Sequence, residues 1–229
     1  VFGDIPCGQI SIEPGPRMAA SDIFKIRIWG KSGHAGKPQQ CVDATIAGAA
    51  IVLNLQTIIS REMDPIESAV VTIGHFLSGT QHNIVSGEAF IEGTVRTFHI
   101  DNAKYIEKAV HRIASSTAAS YNCTCEVEYK RSAHPVVVND EQVTNTAYDA
   151  AKKLFDEEML VHIPKMMLGE DFSVYQKRVP GAFAFVGGGN EELGRAYPNH
   201  HERFNIDEKA VLNATKLFLG YVKEFNNNL

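Results

Sequence analysis

The most constraining feature of this sequence is the change of hydrophobic period between Asp22 and Lys130. Apolar residues first alternate with polar ones, then recur about every 3.6 residues, and then alternate again. Alternation indicates half-buried strands, and the longer period indicates amphipathic helices. The resulting order is strand, helix, strand, strand, helix, strand, which is the split β-α-β-β-α-β pattern. Two helices on one side of a four-stranded antiparallel sheet would close a small core, so this stretch is predicted to form a unit of its own.

The segments on either side of this unit are typical of an α/β fold. The apolar run 182–186 followed by three glycines is typical of a strand buried on both faces. Capping residues predict three helices, which begin at Asp101, Asn139 and Asn205, and the last is expected to turn Val211, Phe218, Val222 and Phe225 inward. The predicted organisation is therefore one α/β domain made of residues 1–21 and 135–229, with an inserted domain of residues 22–134.

Charge and composition narrow the classes of partner. The net charge of -5 and the pI near 6.0 leave no excess of basic residues for phosphates, so nucleic acid is not an expected partner. No run approaches the ~20 apolar residues of a membrane span, and the start has no signal-peptide pattern, so no membrane is expected. The four cysteines are too few for a disulfide framework, which favours reduced thiols and a cytoplasmic protein.

The beginning of the chain suggests that it comes from a longer polypeptide. It has no initiator methionine and starts in what reads as the middle of a strand, at Val1-Phe2-Gly3-Asp4. We therefore expect that some function-bearing residues lie upstream.

One histidine is a candidate for chemistry because of its setting. His34 lies in the loop Gly30-Lys31-Ser32-Gly33-His34-Ala35-Gly36, directly after the first strand of the inserted unit. Glycines on both sides leave the imidazole exposed and adjustable, so it could donate a hydrogen bond to a carbonyl oxygen that gains negative charge. The alternative is an ordinary surface histidine.

Metal-binding candidates are sparse. His200 and His201 lie in a polar loop before the last helix, and on an extended loop only one of two adjacent side chains would face a given site. Cys123 and Cys125 alternate with acidic residues in a predicted strand, so they are expected to pack on one face rather than to bind metal. Glu170 and Asp171 could simply form the acidic first turn of a helix.

Two further polar residues could orient a substrate. Arg96 lies on a predicted strand, where its guanidinium could bind a carboxylate through two hydrogen bonds, although pairing with Glu92 on the same face is the alternative. Asn83 lies in the preceding turn, and the alternative is that it only supplies the turn geometry.

Taken together and in order, short motifs along the chain resemble those of the M20 metallopeptidase family, in its aminoacylase and hippurate-hydrolase-like amidohydrolase branch. The resemblance covers essentially all 229 residues. The motifs are Gly15-Pro16-Arg17-Met18-Ala19-Ala20-Ser21-Asp22, the His34 loop up to Ala35, Ser60-Arg61-Glu62, Gly79-Thr80-Gln81-His82-Asn83-Ile84-Val85, Gly93-Thr94-Val95-Arg96, Glu170-Asp171-Phe172 and the stretch 198–204.

The resemblance implies a two-domain enzyme. Its catalytic α/β domain, of the zinc-peptidase type, would carry two divalent metal ions, zinc or manganese, and its inserted ferredoxin-like domain would act as lid and dimerisation domain. A metal-bound water would attack the amide bond of an N-acyl amino acid or a small peptide conjugate. In such an enzyme His34 resembles the lid histidine that reaches the oxyanion across a homodimer. Asn83 and Arg96 resemble the residues that orient the substrate, and His200 resembles a metal ligand, with His201 the weaker candidate.

The sequence also departs from the family pattern. The other metal ligands and the general-base glutamate would lie upstream of this chain, and Gly3 runs directly into Asp4 where a further ligand histidine is expected. This chain alone is therefore predicted to lack most ligands and to be inactive. Two hypotheses follow: part of a metal-dependent amidohydrolase, or a non-catalytic dimerisation fragment or degenerate homologue.

Overall fold

The protein has a mixed α/β fold, which a computed structural model describes for residues 1–227. The first half contains β1 (Phe2–Pro6), β2 (Ile10–Ser11), β3 (Gly15–Met18), β4 (Ala20–Trp29), β5 (Gly33–His34), α1 (Ala44–Thr57), β6 (Ala69–Ser78), β7 (Ile84–Val85), β8 (Glu88–Thr97) and α2 (Ile100–Ser120). The second half contains β9 (Thr124–Lys130), β10 (Val137–Asn139), α3 (Glu141–Lys152), α4 (Phe172–Gln176), β11 (Phe185–Gly189) and α5 (Lys209–Asn227).

The chain divides into two compact units. The first comprises Val1–Met18, Val137–Met166 and Asp171–Leu229, and the second comprises Ala19–Val136 with the short segment Met167–Glu170. The second unit is thus almost continuous in sequence, whereas the first is assembled from distant parts of the chain.

The second unit is built on an antiparallel four-stranded sheet in the order β6-β8-β4-β9. Along the chain the strands of this sheet and the two long helices follow as β4, α1, β6, β8, α2 and β9, in the order that the hydrophobic periods predict. Phe24, Ile26 and Ile28 of β4 are buried against α1 and α2. On α2 the predicted inward residues are buried, namely Ile106, Ala109, Val110 and Ile113. Because strand residues alternate in direction, Lys25, Arg27 and Trp29 lie on the face of the sheet that the helices leave open.

The helix α1 and the π-helical turn that follows it form a long apolar segment. Ala44–Glu62 is long and apolar enough to cross a membrane by length and composition alone, which the sequence analysis did not anticipate. In the second unit, however, Ala47, Ile51 and Leu55 are fully buried in the core. The core helix of a soluble protein passes the same test, and one face of this helix packs in that core.

The first unit is organised around β11. This strand lies between β1, to which it is parallel, and β2, to which it is antiparallel, and all five of its residues are buried. A side chain at Gly187 would lie 1.9 Å from the carbonyl oxygen of Pro6, so the close approach of the two strands requires glycine there. A second pairing joins β3 and β10.

Three predicted helix starts are wrong. α2 begins at Ile100 without a side-chain cap, so Asp101 lies inside its first turn. α3 is capped by Asp140, which accepts from the backbone N–H of Val143, rather than by Asn139. α5 begins at Lys209, whose N–H donates to Asp207, rather than at Asn205.

The predicted inward face of α5 is also wrong for the described residues. Val211, Phe218, Val222 and Phe225 are between 45% and 72% exposed. Instead, Ala210 and Leu217 are buried in the core of the first unit. Hydrophobic period therefore identified an apolar helix but not the part of its surface that a neighbour covers.

Candidate functional site

His34 lies in β5, which pairs with β7 in a small antiparallel sheet, the β5–β7 pair, at one end of the second unit. Gly33 and His34 of β5 pair with Val85 and Ile84 of β7. The side chain is exposed, and its Nδ1 accepts a hydrogen bond from the backbone N–H of Gly36 at 3.0 Å. A neutral imidazole that accepts at Nδ1 carries its proton at Nε2, so His34 presents an N–H donor outward.

Asn83 directly precedes β7. Its backbone carbonyl oxygen accepts from the backbone N–H of Ala35, and its side chain is exposed. The structure therefore brings His34 and Asn83 together, on neighbouring segments of the β5–β7 pair.

Arg96 lies at the opposite end of the sheet. It pairs with Ser21 of β4 and Val70 of β6, and it is half-buried. A side chain at Gly169 would bring its Cβ to 3.4 Å from Nη1 of Arg96, so the segment 167–170 runs directly beside the guanidinium. The alternative pairing with Glu92 is absent from the described residues, since Glu92 contacts Lys25 at 3.4 Å and His75 at 3.8 Å.

The two ends of β8 therefore carry different candidates. The β5–β7 pair with His34 and Asn83 lies near Glu88, which pairs with Trp29 at the end of β4. Arg96 lies eight positions after Glu88 (96 − 88), or about 27 Å at the rise of an antiparallel strand. This distance exceeds the length of a small N-acyl amino acid. The structure does not bring Asn83 and Arg96 of one chain to the same small molecule.

His200 lies in an exposed loop of the first unit. It has a positive φ of 70°, which is uncommon for a residue with a side chain and indicates that the surrounding contacts fix the loop. The side chain of Asn199 accepts from the N–H of Gly3 and donates to the carbonyl oxygen of Val1, which ties the loop to β1.

His201 has different surroundings from His200. Its ring stacks on Tyr197 with centroids 4.6 Å apart, and its Nδ1 accepts from the N–H of Arg203 at 3.1 Å. These contacts give His201 a structural role in the loop. His200 is therefore the more available of the two histidines for metal binding.

The potential metal ligands among the described residues do not fit a pair of divalent metal ions. Among residues 1–227, no group of three or more histidine, cysteine, aspartate or glutamate side chains could hold a metal ion. Cys123 and Cys125 do not complete one, because no third histidine, cysteine, aspartate or glutamate of the described residues joins them. If His200 binds metal, the other ligands must come from outside the described residues.

The contacts that two glycines make at these sites could not be seen in the sequence. Gly36 supplies the N–H that orients His34, and Gly169 leaves the space beside Arg96. A signal for Gly36 exists, because a glycine two residues after a loop histidine can close a tight turn onto its ring. Gly169 gives no such signal, since its partner is 73 positions away in the sequence (169 − 96).

Comparison with known proteins relates this chain to hydrolases. Residues 3–224 match the model of the peptidase family M20/M25/M40. An N-acetylcysteine deacetylase of Bacillus subtilis (strain 168) is 37% identical over 216 residues, which cover 94% of this chain and 54% of that protein. An N-acetyldiaminopimelate deacetylase of Ligilactobacillus salivarius (strain UCC118) is 33% identical over 225 residues, covering 98% of this chain and 58% of that protein.

A solved structure agrees with these relatives. The Bacillus subtilis YXEP protein, described as a dinuclear metal binding peptidase from the M20 family, superposes with a TM-score of 0.76 at 31% identity. The match covers 96% of this chain and 53% of that one. The chain thus spans about half the length of the relatives that it matches. The family predicted from the ordered motifs is confirmed, and this chain belongs to the peptidase family M20/M25/M40.

Proposed function

We propose that this chain contributes substrate-handling residues to an amidohydrolase that releases an amino acid from an N-acyl amino acid or a related peptidyl conjugate. Family membership supports this proposal, as do the names of two relatives, which are deacetylases of N-acetylated amino acids. The observation that carries it is the hydrogen bond between Gly36 and His34, because it leaves an exposed Nε2–H donor on a loop.

His34 would act on the carbonyl oxygen of the scissile amide. As a nucleophile adds to the carbonyl carbon, negative charge grows on that oxygen, and a fixed N–H donor stabilises it more than it stabilises the substrate. The fixed Nδ1 contact reduces the reorganisation of the ring during the reaction. His34 is therefore expected to affect turnover more than substrate binding.

Asn83 and Arg96 would orient substrate in two different sites. Arg96 suits the free carboxylate of the amino-acid part, because a guanidinium can donate two parallel hydrogen bonds. Since about 27 Å of β8 separates it from the β5–β7 pair, His34 and Asn83 of one chain would serve a substrate that Arg96 of a second chain holds. This arrangement supports a homodimer in which the second unit is a ferredoxin-like lid and dimerisation domain.

The remaining assignments follow from the same proposal. The first unit would be part of the catalytic domain, with His200 as one ligand of a divalent metal that needs further ligands from residues beyond this chain. The four free cysteines support a reducing compartment such as the cytoplasm.

A kinetic experiment tests the role of His34. The complete parent protein is assayed with a panel of N-acyl amino acids, as wild type and with His34→Ala. We expect kcat to fall roughly 100-fold or more while KM and metal content change little. His82→Ala is the matched control, because His82 is exposed in the same turn as Asn83. An unchanged kcat in His34→Ala would contradict the proposed role.

A non-catalytic role is the second candidate. It is favoured by the lack of a metal-binding group of three donors among residues 1–227. If the parent protein hydrolyses no member of the panel but dimerises through the second unit, this alternative replaces the enzyme.

A further inference from the structure

Arg96 is a half-buried charge of the second unit. Along β8 it alternates with Val95 and Thr97, which are buried, so its side chain lies on the face of the sheet that the helices leave open. Over residues 1–227 its guanidinium takes part in no ion pair and no side-chain hydrogen bond. Removing a charge partly from water costs free energy unless an opposite charge pairs with it. The guanidinium is therefore placed to receive an anion.

Ser21 carries the hydroxyl that stands beside this guanidinium. Ser21 and Arg96 are directly paired across β4 and β8. Side chains of directly paired residues project to the same face, with Cβ atoms about 5 Å apart. Ser21 is half-buried, and in the part of the chain that the structure describes its hydroxyl makes no hydrogen bond. A second unused donor thus lies next to the unpaired charge.

The other polar side chains nearby on this face of β8 already have partners. The hydroxyl of Thr94 donates to a backbone carbonyl oxygen of β4 at 2.9 Å. Glu92 contacts Lys25 at 3.4 Å and His75 at 3.8 Å. The hydroxyl of Ser21 is therefore the free donor that strand register places directly opposite Arg96.

Gly169 bounds the distance between the two donors. A Cβ on Gly169 would lie 3.4 Å from Nη1 of Arg96 and 3.6 Å from the Cβ of Ser21. Nη1 and the Ser21 Cβ are therefore no farther apart than the sum of these two distances, 7.0 Å. Since each hydrogen bond spans about 2.9 Å, two donors that flank one carboxylate stand roughly 4–8 Å apart. Because Gly169 has no side chain, the space between the donors stays open.

The charge of this pair of donors selects among anions. One guanidinium and one neutral hydroxyl supply a single positive charge, which matches a carboxylate. A phosphate dianion would keep an uncompensated charge on a face that also carries Glu92. The arrangement therefore suits a monoanion that accepts two hydrogen bonds from the guanidinium and one from the hydroxyl.

We propose that the hydroxyl of Ser21 donates a hydrogen bond to the substrate carboxylate that Arg96 binds, so that Ser21 is a further substrate-binding residue. This inference rests on the proposed function, in which Arg96 holds the carboxylate of the amino-acid part. It adds a second donor at that carboxylate. Preference for a substrate with a free carboxylate then depends on Ser21 as well as on Arg96.

The kinetic test compares an N-acyl amino acid with the matching N-acyl amine, which lacks the carboxylate, in the complete parent protein. Ser21→Ala is expected to raise KM for the acid roughly tenfold, to change its kcat less than about twofold, and to leave kcat/KM for the amine within about twofold. Ser21→Thr should restore most of the lost affinity, because it keeps the hydroxyl. Ser116→Ala is the matched control, since Ser116 is an exposed serine of α2, which packs on the opposite face of the sheet.

A double-mutant cycle provides a binding readout that a purely structural role of Ser21 would not move. The product amino acid is titrated calorimetrically into the wild type, Ser21→Ala, Arg96→Ala and the double variant. If both residues bind one carboxylate, Ser21→Ala should weaken Kd roughly tenfold in the wild type and clearly less when Arg96 has been replaced. Equal losses in both backgrounds would overturn the shared site.

The outcomes separate the two proposals. If the wild type hydrolyses no N-acyl amino acid, the proposed function fails, and the role of Ser21 fails with it. If the wild type is active but Ser21→Ala leaves KM for the acid unchanged, or weakens acid and amine equally, the role of Ser21 is overturned while the amidohydrolase stands. A rise in KM confined to the acid, with rescue by threonine, supports Ser21 as a donor to the carboxylate.

Discussion

The backbone N–H of Gly36 donates a hydrogen bond to Nδ1 of His34, and a Cβ on Gly36 would lie only 3.1 Å from that same nitrogen. A single residue thus both sets the tautomer of the imidazole and leaves room for its ring. The orientation of His34 is therefore predicted to depend on a glycine that itself touches no substrate.

Gly36→Ala is expected to displace the ring by a few tenths of an ångström. In the complete protein this should lower kcat roughly tenfold, which is about 1.4 kcal/mol of lost transition-state stabilisation, with KM nearly constant. Steady-state kinetics on one N-acyl amino acid measures the effect. Gly74→Ala is the control, because a Cβ there would meet nothing within 4 Å. Full activity in Gly36→Ala would show that the hydrogen bond does not set the geometry.

The separation of His34 and Arg96 predicts complementation between two inactive variants. His34→Ala and Arg96→Ala are each expected to be nearly inactive as homodimers. If protomers exchange at random, the mixture should recover roughly a quarter of wild-type activity, because one of the two sites in each mixed dimer has both residues intact. Activity is measured after mixing and after partial denaturation and reassembly. No recovery despite demonstrated exchange would mean that both residues serve the same site.

The space beside Arg96 predicts an effect on carboxylate binding. Gly169→Val would place methyl groups against the guanidinium, whose Nη1 is already 3.4 Å from the Cβ position. We expect KM for an N-acyl amino acid to rise roughly tenfold, because the loss concerns binding present in both ground and transition states. The matching N-acyl amine, which lacks the carboxylate, should be hydrolysed equally by both proteins. An equal effect on both substrates would contradict a carboxylate role for Arg96.

Glu13 predicts a dependence of stability on pH. Burial raises its pKa, but hydrogen bonds from Ser11 and from the N–H of Ile163, with the charges of Arg17 and His162, outweigh burial and hold the pKa below its ordinary 4.5. The stabilisation from a carboxylate with a lowered pKa is complete above pH 4.5 and is lost as the pH falls through the folded-state pKa.

Glu13→Gln should therefore destabilise the first unit by about 2 kcal/mol at pH 7, since it leaves the buried Arg17 without its counter-ion, and by clearly less in acid. Urea unfolding followed by far-UV circular dichroism at pH 7 and pH 3 measures both values. Glu208→Gln is the control, because the side chain of Glu208 is 79% exposed in its pair with Arg195. If the free energy of unfolding lost in Glu13→Gln were the same at both pH values, the lowered pKa of Glu13 would not be the cause.

Metal analysis tests whether this chain holds too few ligands for two metal ions. The 229-residue chain is expected to bind far less than two equivalents of zinc or manganese, because its described residues hold no group of three donors. Equilibrium dialysis with elemental analysis measures the stoichiometry. Two tightly bound ions per chain would refute this account.

Local patterns predicted the strands and helices of the second unit. The alternation of a strand and the repeat of about 3.6 residues of a helix each arise within a single element. Capping was less predictable. Asn139 and Asp140 are both competent caps, and the choice depends on distant partners: Asn139 donates to the carbonyl oxygens of Glu13 and Phe183, which leaves Asp140 for the helix. No local rule contains that information.

The candidate site shows the same limit. The sequence singled out His34, Asn83 and Arg96 as residues of interest, but it did not show how far apart they lie within one chain. Only strand register shows that Arg96 pairs with Ser21 at one end of β4, while the β5–β7 pair lies beyond the other end. Register depends on cross-strand packing, which neighbouring residues do not specify.

The parallel pairing of β1 with β11 has a consequence for folding during synthesis. Phe2 pairs with Gly187, so β1 must wait during synthesis for a partner 185 positions later in the chain (187 − 2). The second unit, by contrast, is almost complete once Val136 has emerged. We expect it to fold first and to hold the two ends of the first unit near one another, so that its early folding shortens the loop that β1 must close.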